Sequence, residues 1–218
     1  MPGSRIIRDA ASIGVATGIY AVSFGVLSVA AGFSVAQTCV MSLVAFTGAS
    51  QFTFVSVIGA GGGVAAALPP ALLLAGRNAI YALSLREVLA GGRRRQAVAA
   101  HLVIDESTAM AHAQPSSTDK RRAFLATGLA ILACWNVGTL TGALAGGALT
   151  DPRSLGLDAI FPAVFLALIV PQLGGRRAIG AALLGAATAL VLVPIAPPGV
   201  PVMASVLACV PFLRRRTP

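Results

Sequence analysis

Charge is what this chain has least of. Residues 10–76, 123–150, 159–175 and 178–213 contain no charged side chain at all, and charged types make up 11% of the whole, against about 25% in soluble domains. So little charge cannot cover a soluble surface, which excludes a soluble enzyme. Cysteine is scarce too: three residues, Cys39, Cys134 and Cys209, lie far apart inside apolar stretches. That excludes a disulfide scaffold, and no CxxC or Cys/His spacing marks a metal site. Neither GxSxG, HExxH nor a phosphate-binding glycine loop occurs. No catalytic centre, no nucleotide hydrolysis by this chain and no cofactor is therefore expected.

What fills the space is small and apolar. Hydrophobic types reach 56%, with 43 Ala and 24 Gly among 218 residues. About 20 consecutive apolar residues suffice to cross a bilayer as a helix, and the charge-free runs hold several such lengths. The composition predicts an all-α, polytopic transmembrane helix bundle in the lipid bilayer, a single transmembrane domain over residues 1–218. About seven spans are expected, roughly 10–32, 35–60, 64–88, 123–149, 157–173, 178–196 and 198–213. The first is too long for a signal-peptide core and reads as a retained span.

The excess of positive charge, 16 Lys+Arg against 7 Asp+Glu, is arranged for orientation rather than for nucleic acid. Twelve basic residues form short clusters: Arg86 with Arg93 to Arg95, Lys120 to Arg122, Arg176 with Arg177, and Arg214 to Arg216. Short cytoplasmic loops retain Lys and Arg, so no nucleic-acid partner is expected. If segment 96–114 does not cross, all four clusters share one side, and the C-terminus is cytoplasmic. Three spans before Arg86 would then leave Arg5 and Arg8 on the opposite side. A re-entrant segment within 35–76 removes that conflict, with Gly59 to Gly63 and Pro69-Pro70 as places for a break.

Segment 96–114 is apolar enough for a helix but carries Asp105 and Glu106 side by side. As one helix it would set His101, Asp105, Thr108 and His112 on a single face. It reads as a polar or partly inserted helix. Gly14 and Gly18, and Gly138, Gly142 and Gly146, recur at four-residue spacing, the pattern of close helix contact in lipid.

Polar groups at hydrophobic depth carry the functional reading. Arg77 follows 67 uncharged residues, with Asn78 adjacent and Tyr81 and Ser84 one and two turns on. A guanidinium there offers donors to a substrate carboxylate, or caps a half-helix structurally. Asp105 and Glu106 carry protons, bind an ammonium group or form a solvated face. Ser50 and Gln51, within Gly48 to Phe52, line a polar path or bond a neighbouring helix. Trp135 reads as packing, and Asp158, shortly before Pro162, as a helix N-cap.

Several blocks follow one another in a familiar order: FGVLSVAAGFS (24–34), SLVAFTGASQF (42–52), RNAIYALSL (77–85), LVIDESTAM (102–110), CWNVGTLTGALAGGAL (134–149) and LDAIFPAVFLALIVPQL (157–173). In this the chain resembles the AzlC family, the large subunits of branched-chain amino acid exporters. The resemblance runs from about residue 10 to 196. It implies a multi-pass permease of the bacterial cell (inner) membrane, paired with a small AzlD-type membrane subunit of about four spans. It implies export of valine, leucine and isoleucine, with methionine a further candidate, driven by the proton gradient. The family's polar positions fall on Ser50, Gln51, Arg77, Asp105, Glu106, Trp135, Asp158 and Pro162. The expected mechanism has a broken helix near 48–52 and the Arg77 stripe, with Asn78 and Tyr81, forming a midplane cavity. Arg77 binds the amino acid carboxylate there, and Asp105 or Glu106 couples protonation to transport. The alternatives are a structural or assembly subunit of a membrane complex and the permease of a nucleotide-driven transporter.

Overall fold

The computed structural model describes residues 2–147, 166, 169, 170 and 173–213. Every regular element among them is helical. In order they are α1 (Pro2–Ala30), α2 (Val35–Val44), α3 (Ala49–Gly59), α4 (Val64–Ser84), α5 (Arg86–Leu89), α6 (Arg93–His101), α7 (Asp105–His112), α8 (Ser117–Gly146), α9 (Arg176–Leu192) and α10 (Val200–Leu213). Three of the helices, α1, α4 and α8, are long and apolar enough to cross a membrane; α2, α3 and α10 are apolar but shorter. This is a helical membrane bundle.

The axis of the bundle is the pairing of α1 with α8. Gly14 lies against Ala130, Gly18 against Cys134 and Gly138, Val22 against Gly142, and Val26 against Gly146. Numbers rise together along both helices, so the two run parallel. A Cβ on Gly138 would collide with the carbonyl of Gly18, and one on Gly142 with that of Val22. Backbone meets backbone, which only glycine permits. Lipid tails offer no hydrophobic drive to associate, so this close packing is what holds the helices together.

Parallel packing sets the N-terminus of α1 level with the start of α8, and Gly3 indeed lies beside the Arg122 guanidinium. The end of α4 arrives at the same place, since Glu87 and Val88 share a surface pocket with Ser117, Lys120 and Arg121. This can be named the basic end. At the other, far end, α9 and α10 turn: Gly199 abuts Ala66 near the start of α4, and Gly62 abuts Pro198. Helices α9 and α10 are antiparallel, with Gly180 against Phe212 and Gly185 against Cys209, so Arg176 and Arg177 return to the basic end.

The stretch 35–60, expected as one span, is two helices folded back on each other. Helix α2 enters from the far end with Thr38 bonded to Ser28 (2.8 Å) and Ser42 donating to Thr139 (3.1 Å). The chain then breaks at residues 45–48. Helix α3 leads back out, with Phe52 on Phe24, Phe54 on Phe33 and Gly59 against Ala31. Segment 93–112 mirrors this from the basic end. Helix α6 leads in, residues 102–104 form the break with Leu102 packed on Gly128, and α7 leads out along α8. Leu102 meets α8 eleven residues from its start and Gly48 meets Trp135 eleven residues from its end, each about 16 Å along the helix. Two re-entrant hairpins thus approach from opposite ends, and their tips touch where Phe46 meets His101, ring centroids 5.7 Å apart.

Each break is held by the same local device. A broken helix frees backbone groups that lipid cannot satisfy. In the first hairpin, the Gln51 side chain accepts from the Gly48 N–H (3.2 Å) and donates to the Met41 carbonyl (3.0 Å). In the second, the Ser107 hydroxyl accepts from the Ile104 N–H (3.1 Å) and donates to the Leu102 carbonyl (2.6 Å). Both side chains stand third in the outgoing helix and reach back across the break. The single helical face expected over 96–114 does not exist for the same reason: the helix stops at His101 and restarts at Asp105.

Candidate functional site

Between the two tips lies a cavity of about 260 Å³. The first break supplies Thr47, Gly48 and Ala49, and the second supplies Ile104, Asp105 and Glu106. Ala16, Thr17 and Tyr20 of α1, Arg77 of α4, and Ile131 and Trp135 of α8 complete the wall. Both outgoing half-helices, α3 and α7, therefore begin on the cavity. Free N–H groups and the helix dipole make such beginnings favourable for negative charge. Asp105 and Glu106 occupy the first turn of α7, whereas the first turn of α3 contains no acid.

Arg77 and Asp105 form an ion pair at 2.5 Å, each side chain about a third exposed. Tyr81, one turn beyond Arg77, donates its hydroxyl to the other Asp105 oxygen (2.7 Å). A third tie, between the Ser84 hydroxyl and the His112 ring (3.1 Å), continues the stripe. The Arg77, Tyr81 and Ser84 spacing thus clamps α7 onto α4. Glu106 lines the cavity beside this pair, and among the described residues it enters no ion pair. Counted formally, the wall carries one positive and two negative groups.

Another part of the wall is aromatic, through Tyr20 and Trp135. Tyr20 stacks on Phe52 at 4.9 Å and meets Trp135 edge-on at 5.6 Å; Phe24 packs against both Phe52 and Trp135. This cluster joins α1, α3 and α8 and gives the cavity one apolar side with few polar atoms.

The residues singled out in the sequence divide accordingly. Arg77, Asp105, Glu106 and Trp135 lie together on the cavity wall. Tyr81 stands one contact behind it, on Asp105. Gln51 is buried and bonded through both its amide oxygen and its amide nitrogen to the backbone of the first break, and Ser50 is buried with its hydroxyl on that of Thr47. Asn78 is half-buried and outside the wall. Asp158 and Pro162 lie outside the described residues, as do the expected span 157–173 for the most part and the cluster Arg214 to Arg216. Sequence reasoning passed over Ala16, Thr17, Tyr20, Thr47, Ile104 and Ile131. Only Tyr20 left a signal, as one of two tyrosines in the chain.

No solved structure matches the chain. Among curated proteins it is similar to an uncharacterized membrane protein of Archaeoglobus fulgidus, 33% identical over 172 residues, 78% of this chain and 75% of that one. It is also similar to an uncharacterized membrane protein of Helicobacter pylori, 26% identical over 152 residues, 69% of this chain and 66% of that one. A family model described as AzlC protein matches residues 12–149, which takes in α1 from residue 12 onward, α2 to α8 and every residue of the cavity wall. The chain is a membrane protein belonging to the AzlC family.

Proposed function

We propose that this chain is the permease subunit of a secondary transporter that exports branched-chain amino acids in exchange for protons. The observation that carries the reading is the cavity itself. It lies midway along α8, between two opposed helix breaks, with a guanidinium, an unpaired carboxylate and an aromatic wall around one volume. Discontinuous helices around a central site are the recurrent construction of secondary transporters. A zwitterion with an apolar side chain is the ligand whose three parts match those three features.

In this reading, the substrate carboxylate binds the Arg77 donors not engaged by Asp105 and the acid-free start of α3. The ammonium group binds Glu106. The branched side chain rests on Tyr20, Ile131 and Trp135, where hydrophobic contact supports it. Exchange requires that substrate and proton exclude one another at some group. Glu106 meets that requirement, because its carboxylate takes either the ammonium or a proton. Asp105, held by Arg77 and Tyr81, serves to position the guanidinium. A small four-span subunit of the AzlD type, the bacterial inner membrane and methionine as a further substrate belong to this reading through the family.

The test is efflux of leucine and valine from cells fed leucine- and valine-containing dipeptides, with both subunits present. Arg77→Ala and Glu106→Gln each lower efflux at least tenfold while membrane abundance stays unchanged. Efflux at the wild-type rate in both variants removes the mechanism.

A further inference from the structure

The two hairpins differ in how they are held. Helix α2 is bonded by hydroxyl pairs to α1 and α8, and α3 is locked by aromatic stacking on α1 and α8. Helix α7 is clamped to α4 by three polar contacts. Among the described residues, helix α6 has no such tie apart from the ring contact of His101. Arg93 to Val98 are all exposed, Ala99 is its one buried residue, and Ala100 is exposed again. Its lead-in is Gly91-Gly92, with Gly91 at φ 156°, and it ends in two tight i to i+3 bonds, Leu102 N–H to Ala99 and Val103 N–H to Ala100. A helix with few buried contacts between two pliable ends is the element of lowest local stability in the neighbourhood. Yet its last residue, His101, is the one that touches the opposite hairpin, on Phe46, beside Thr47 and Gly48 of the cavity wall.

We infer that α6 is the gate on the basic end: it swings on Gly91-Gly92 and on the turn after His101, parts His101 from Phe46, and opens the cavity to that side. The gate rests on the transport reading above. Helix α7 stays clamped to α4 throughout, so Asp105 and Glu106 keep their places while access changes. Basic side chains on α6, Arg93 to Arg95, stay in water in both positions, so the motion drags no charge through lipid. The α2–α3 hairpin, which enters from the far end, is bonded and stacked onto α1 and α8, so the gate is asymmetric: that hairpin is the fixed jaw and α6 the moving one.

Cysteine chemistry tests this in two arms, both in protein whose Cys39, Cys134 and Cys209 are replaced by Ala, with the partner subunit present. In the first, Phe46→Cys/His101→Cys is joined by a short bifunctional thiosulfonate, and leucine exchange is measured in membrane vesicles before linking, after it, and after reduction. Linking lowers exchange at least tenfold and reduction restores it. The same linker on Ser28→Cys/Thr38→Cys, which joins the fixed jaw to α1, leaves exchange unchanged. Full exchange with the Phe46–His101 positions linked overturns the gate. The second arm needs no transport: Ala99→Cys on α6 and Ala123→Cys on α8, both buried, are exposed to a membrane-impermeant maleimide from the basic side. Ala99→Cys reacts at least tenfold faster if α6 swings, and equal slow rates overturn the proposal. Absence of leucine exchange in the unlinked parent protein defeats the transport reading instead, and the maleimide rates still decide the gate.

Discussion

Gly48 sits at φ 60°, in the left-handed region, with the Trp135 ring 3.8 Å from where a Cβ would stand. Space is present, so a side chain is disfavoured by conformation rather than by collision. Gly48→Ala is expected to lower stability by about 1–2 kcal/mol, read as a lower thermal midpoint in detergent. Gln51 illustrates the opposite case, a polar residue whose work is structural. Replacing it with Leu removes the acceptor of the Gly48 N–H and leaves the Met41 carbonyl with the Ala45 N–H alone, costing about 1–3 kcal/mol. Chemical denaturation of the purified variant measures that loss directly. The Ser42–Thr139 bond is worth less. In a double-mutant cycle with Ser42→Ala, Thr139→Val should reveal a coupling of about 0.6 kcal/mol, because partners are also found in the unfolded state within the membrane. What sequence could read at this scale was the expense of Arg77, Asp105 and Glu106. It could not read that Asp105 is already engaged and Glu106 is not, since that depends on which oxygen α4 reaches.

At the scale of elements, the contact of α1 with α8 is the least forgiving surface. Gly138→Leu inserts four carbons where a single Cβ already meets the Gly18 carbonyl. The helices must separate, and the expected result is loss of folded protein, visible as collapse of the monodisperse peak in size-exclusion chromatography. Gly63→Ala, which meets nothing within 4 Å, serves as the control and elutes normally. The glycine spacing in the sequence pointed to such a face. Its partner and parallel direction did not follow, because four-residue spacing marks a surface without saying what covers it. The hairpins were half legible. Gly48 within an otherwise apolar run points to the break near 48–52, whereas the break at 102–104 has no such mark. Pro69-Pro70, a place expected to break, lies inside the continuous α4. Hydropathy averages over a window longer than a half-helix. A run that turns back looks the same as one that continues.

For the whole molecule, the re-entrant hairpins remove the orientation conflict. With 35–60 folded back to the far end, Arg5, Arg8, Arg86, Arg93 to Arg95, Lys120 to Arg122, Arg176 and Arg177 all stand at the basic end. Because Lys and Arg are retained on the cytoplasmic side, that end is expected to face the cytoplasm. Single cysteines at Ser4 and Ser117 should therefore react with impermeant maleimide only in inside-out vesicles, and one at Gly63 only in right-side-out vesicles. Labelling of Ser4→Cys and Gly63→Cys from the same side would mean that the α2–α3 segment crosses after all.

The amino-acid sequence by itself determined the solvent: long runs without charge cannot be solvated by water, and in lipid only helices satisfy their own backbone. It also marked Arg77, Asp105, Glu106 and Trp135, because charges and a lone indole are conspicuous against alanine and glycine. Tertiary structure decided which helices turn back and what the marked residues face. A break in a helix persists only where a side chain replaces the lost backbone bonds, as Gln51 does for the Gly48 N–H. A cavity likewise exists only where several elements fail to fill the same volume, a property of their packing that no local stretch encodes.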